Sequence, residues 1–101
     1  MITAQVNGDL LQVALDADLT IYVAAELHAE LVPWLETPCN WALDLAAVSE
    51  CDGAGLQLLL MLRQHLVGAG RALTLVGRSP AVNEALSLCG LAASFDDQAV
   101  A

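Results

Sequence analysis

The segment Asp52-Gly53-Ala54-Gly55 sets one carboxylate and two glycines at what reads as the junction between a strand and the start of a helix. Glycines there let the backbone turn sharply and let another surface approach closely, while a helix N-terminus offers free amide donors with a positive partial charge. Such a site attracts phosphate. It reads equally well as a plain turn capped by Asp52. A dinucleotide fingerprint is excluded because its third glycine would fall at Leu58, and a P-loop lacks its Gly-Lys-Ser/Thr ending. Elsewhere, His28 and His65 lie far apart on different expected helices and read as tolerated imidazoles rather than metal ligands. Cys39, Cys51 and Cys89 contain no Cys-x-x-Cys pair, so they are expected as reduced thiols, mostly acting as small buried hydrophobes. Asp16 and Asp18 could chelate a cation, but a solvated loop is the simpler reading. No Ser-His-Asp set has positional support, and no metal or cofactor is expected.

Several elements must position that loop. Two apolar runs, 2–6 and 10–15, flank Asn7-Gly8-Asp9, whose Asn-Gly signal predicts a tight hairpin. Thr20 is placed to cap a helix in which Val23, Leu27, Leu31, Trp34 and Leu35 recur at helical spacing, with Pro33 kinking or ending it near Val32. Residues 41–48 read as a central strand covered on both faces, apolar except for Asp44, which is placed as a structural residue near the sheet end. A long helix is expected from about Ala54 to Val67, capped by Asp52 and stopped by Gly68-Ala69-Gly70. A strand at 72–76 follows, then a helix with Ser79 as cap, Pro80 at its first position and Gly90 after its end. Residues 92–101 read as a frayed tail. The alternation of helices with later strands predicts parallel pairing, hence an α/β fold with a mixed sheet of four to five strands in one domain.

Composition narrows the function. Of 101 residues, 57% are hydrophobic and only 4% aromatic, which suits helices on an aliphatic sheet. Twelve acidic side chains face three arginines, Arg63, Arg71 and Arg78, with no lysine and a formal charge of -9. Nucleic acid and anionic membrane surfaces would repel such a chain. The densest apolar stretch, 56–67, is broken by Gln57, Arg63, Gln64 and His65 and falls short of the about 20 residues a membrane span needs, so no direct membrane insertion is expected. The opening MITAQVNGDL has neither a basic start nor an apolar core, and the expected location is cytoplasmic.

The motifs then take on a family likeness. Leu43-Asp44-Leu45 leading into Val48-Ser49-Glu50-Cys51-Asp52-Gly53-Ala54-Gly55-Leu56 resembles the "DLSxVxxIDSSGL" pattern of STAS domains, the family of anti-sigma-factor antagonists and related bacterial switch proteins. Residues 73–80 resemble its "LxLVGxSP", and residues 19–27 are similar to a variant found in STAS proteins of chemotaxis-type gene clusters. The likeness spans almost the whole chain and implies a STAS-like fold. It also implies that a kinase doubling as an anti-sigma factor would act on a Ser or Thr directly after the motif Asp. Here that position is Gly53, and the next is Ala54, so both nearby acceptors are gone while Asp52, Gly55 and Leu56 remain. A phosphate would add about -1.5 to -2 charges; without an acceptor the chain should behave as permanently unphosphorylated. Ser49 is an alternative acceptor displaced by four residues.

What the resemblance implies is a non-enzymatic signalling module. Its protein partner would be an anti-sigma-factor kinase or a chemotaxis-type signalling protein, met through 52–56 and the following helix. On that helix Gln57, Met61, Gln64 and His65 share one side, while Leu59, Leu62 and Leu66 face the sheet and Leu58 and Leu60 flank the two. The apolar excess of this helix fits a partner groove or a homodimer contact, and it fits a deep core as well. The acidity favours a partner with a basic docking surface. A regulatory subunit of a phospholipid-transport ABC transporter, gripping its ATPase through the same helix, is the alternative.

Overall fold

The computed structural model describes residues 1–95. Strands β1 (Ile2–Asn7), β2 (Leu10–Leu15), β3 (Asn40–Asp44) and β4 (Leu73–Val76) form one sheet in the order β1-β2-β3-β4. β1 runs antiparallel to β2, whereas β3 and β4 continue in parallel, as the helical crossovers demand. Helices α1 (Ala24–Leu31), α2 (Gly53–Gly68) and α3 (Pro80–Leu88) bury Leu27 and Leu31, Leu59, Leu62 and Leu66, and Val82 and Leu86 in one core. From the sheet that core receives Leu11, Val13, Leu15, Trp41, Leu43, Leu73 and Leu75.

The sheet face bearing Trp41 and Leu43 is covered, but the described residues leave the opposite face open. Thr3, Gln5 and Gln12 stand exposed there, with Ala14, Ala42, Asp44 and Thr74 half-buried. The expectation of a strand buried on both faces is therefore corrected. Ala42 is apolar in pattern yet small enough for a solvated face, so true alternation reads as a continuous run. β3 also stops at Asp44 rather than running to Val48, because the Asp44 carboxylate accepts the Ala46 amide at 2.9 Å and turns the chain.

The punctuation behaves as chemistry requires, with one adjustment, at Thr20. The hairpin pairs Asn7 with Leu10, so the turn is centred on Gly8 and Asp9, within the expected Asn7-Gly8-Asp9. α1 starts at Ala24, and Thr20 contributes its carbonyl, not its hydroxyl, accepting from the Val23 and Ala24 amides at 3.2 and 2.9 Å. After Leu31 the chain tightens into a 3-10 segment, Val32–Glu36, where Pro33 supplies no donor for α-helical bonding. Arg71 then clasps this corner, its guanidinium donating to the carbonyls of Leu35 at 2.8 Å and of Thr37.

α2 and α3 end alike. Gly70 and Gly90 take φ of +75° and +67°, which lets the Arg71 and Leu91 amides reach back to the Leu66 and Leu86 carbonyls at 2.8 Å each, the Schellman arrangement. The expected frayed tail begins too early. Residues 92–95 make one more helical turn and Phe95 is fully buried, its ring closing the core; residues 96–101 lie outside the described residues.

Candidate functional site

At the C-terminal end of the sheet two segments lie side by side, 18–22 from the β2–α1 connection and 49–52 from the β3–α2 connection. The Leu19 amide donates to the Glu50 carbonyl and the Asp52 amide to the Leu19 carbonyl, both at 2.9 Å, a short parallel bridge outside the main sheet. Two carboxylates staple the pair from opposite sides. Asp18 accepts the Ser49 and Glu50 amides at 2.8 and 3.0 Å. Asp52 accepts the Ile21 amide at 3.0 Å and, as the N-cap of α2, the Gly55 amide at 3.1 Å. These amide bonds, Ile21 first and Gly55 second, hold the Asp52 carboxyl below its ordinary 3.8.

The staples depend on how closely the segments approach. A Cβ on Gly55 would sit 2.1 Å from the Leu19 carbonyl oxygen, so only glycine fits. Gly53 is the opposite case. A Cβ there meets nothing within 4 Å, and the residue is exposed. The first turn of α2 therefore presents an open position on a rigid base. The Gly55 amide is already taken by Asp52, whose negative charge stands at the helix start, so the reading as a capped turn holds and the phosphate-attracting reading fails.

The other expected site residues divide by burial. Gln57 and Gln64 are exposed, and Ala54 and Met61 are half-buried on the outer side of α2. Gly55 and Leu56, expected among the partner contacts, are buried; they hold the loop from beneath because the approach of Leu19 seals them in. Leu58 also joins the core instead of flanking it. This places the Leu excess of α2 largely in the core, and the helix carries no Asp or Glu along its 16 residues. His28 and His65 stand exposed on α1 and α2.

Sequence reasoning missed two neighbours. Ile21 and Tyr22 are 67% and 89% exposed beside the amide that Asp52 holds, so an apolar pair stands next to the open position. Their signal was legible as two large apolar residues off the Leu27–Leu31 stripe. The role of Asp18 was missed as well: it is a staple, not a solvated or cation-binding acid. Among the described residues no cluster of three or more His, Cys, Asp or Glu could hold a metal ion, and no helix is long and apolar enough to cross a membrane. Of the thiols only Cys39 is buried, with Cys51 half-buried and Cys89 exposed. Burial, then the Asp52 charge and Cys89, push Cys51 up to about 11 and keep it a neutral thiol.

A family model described as "Mlab, STAS domain" matches residues 2–95. Among solved structures, a Thermotoga maritima protein assigned as an anti-sigma factor antagonist is similar with a TM-score of 0.80 at 21% identity, over 89% of this chain and 79% of that one. The anti-sigma factor antagonist SpoIIAA in its unphosphorylated form is similar with a TM-score of 0.74 at 17% identity, over 90% of this chain and 82% of that one. No curated protein matches in sequence.

Proposed function

This chain belongs to the STAS domain family, and on that footing we propose that it is a non-enzymatic, cytoplasmic signalling module that binds a kinase of the anti-sigma-factor type. The contact surface is Asp52, Gly53 and Ala54 together with Gln57, Met61 and Gln64 on α2, with Ile21 and Tyr22 alongside. One observation carries this reading: directly after a doubly anchored Asp52, the chain keeps an exposed position with free space around it and places no hydroxyl there. A docking point is retained while the phosphate switch is removed. The two similar structures bear the name of anti-sigma factor antagonists, which agrees in kind.

The test restores the switch. With the partner kinase and ATP, the wild-type chain stays unmodified and Gly53→Ser takes up one phosphate, weakening the complex. A wild-type phosphopeptide, at Ser49 for instance, would contradict the unswitched reading. The same missing hydroxyl favours one second reading, a regulatory subunit held constantly by a transporter ATPase, since a permanent contact needs no acceptor. Co-purification with an ATPase instead of a kinase or chemotaxis-type protein decides between them.

A further inference from the structure

One residue before Asp52, a groove of about 300 Å³ opens between the 50–51 segment and α3. Cys51, Ala81, Ala85 and Leu88 make its apolar lining, and Glu50 and Glu84 complete it. Both glutamates are exposed, and neither carboxylate has a hydrogen-bond or ion-pair partner among the described residues, where the one salt bridge joins the Met1 amino group to Glu30. Leu88 is 79% exposed, an aliphatic side chain left in water at the groove's lip. The thiol of Cys51 is neutral, so the floor offers no charge of its own. The groove is at the lower end of the size of small-molecule sites, fit for a side chain and its neighbour rather than a whole cofactor.

We propose that this groove is an anchor for an arginine-bearing, aliphatic segment of the partner, with the guanidinium held by Glu50 and Glu84 and the stem lying on Ala81, Ala85 and Leu88. The charge complementarity is direct, two unpaired carboxylates around an apolar floor. Arginine fits better than lysine because its flat, weakly hydrated head forms paired bonds to carboxylates while its stem covers apolar surface. The groove adjoins Asp52, so the anchor extends the docking surface from α2 onto α3. The inference rests on the proposed protein-binding function for its biological partner, but the groove itself can be read without one.

The experiment is an NMR titration of the ¹⁵N-labelled full chain with N-acetyl-leucyl-arginine amide, using the neutral isostere N-acetyl-leucyl-citrulline amide as control. The arginine peptide shifts the amides of Cys51, Glu84, Ala85 and Leu88 saturably, and the citrulline peptide binds about tenfold more weakly. A variant carrying both Glu50→Gln and Glu84→Gln lowers the arginine peptide to the citrulline level. Equal binding of the two peptides, or unsaturable shifts spread over Asp16, Asp18 and Glu26, overturns the anchor. A saturable groove alongside a wild-type chain that binds no signalling protein would sink the function and leave the anchor standing; the reverse would sink the anchor alone.

Discussion

Asp52 does two jobs with one side chain, capping α2 through the Gly55 amide and tying down the Ile21 amide of a distant segment. Its carboxyl is held below the ordinary value, so the stability it contributes is fully present above that value and is lost as pH falls through the lower, folded-state one. Asp52→Asn keeps a capping oxygen but removes the charge. The melting temperature of this variant should lie below wild type at neutral pH, with the gap closing as the solution is acidified below 3.8. A gap constant across that range would mean the charge contributes nothing. Half of this was readable beforehand: an Asp before Gly-Ala-Gly announces a helix cap. The bond to Ile21 was not, since it spans 31 positions and local pattern carries no information on what a loop meets across the fold.

At the scale of elements, the register between the 18–22 segment and α2 is set by the absence of an atom. Gly55→Ala would drive a methyl group into the Leu19 carbonyl, and backbone on both sides cannot swing away as a flexible side chain would. Unfolding in urea should show a loss of about 3 kcal/mol, at the upper end of what overpacking costs. A wild-type midpoint would show that the segments are not in close contact. Helices α2 and α3 were legible almost to the residue, because Asp52, Ser79 and Pro80 start them and Gly70 and Gly90 end them through local chemistry. β3 was not. Its alternation was hidden by Ala42, so apolar character was mistaken for burial, and the open face of the sheet went unseen.

For the whole molecule, the core closes later in the chain than composition suggested. Leu91 to Phe95 follow a helix stop and precede two aspartates, which look like a solvated end, yet Phe95 has no exposed surface. Phe95→Ala should cost about 3–5 kcal/mol of folding stability, as an emptied aromatic site does. A loss under about 1 kcal/mol, the level of an ordinary surface change, would place this residue outside the core. None of the chain's acidic side chains lies within the 16 residues of α2, whose one fixed charge is Arg63. Sequence supplied the family likeness and the lack of a hydroxyl at Gly53, while the exposed pair Ile21 and Tyr22 joined the candidate site only when the fold brought 18–22 against 49–52. The most direct measurement is the affinity of the proposed kinase partner for wild type and Gly53→Asp, with urea midpoints taken on both. Free space at position 53 should keep the midpoint close to wild type. A carboxylate trapped unpaired where the partner packs on bare backbone should weaken binding about a hundredfold. Unchanged affinity with an intact fold would contradict docking through Gly53.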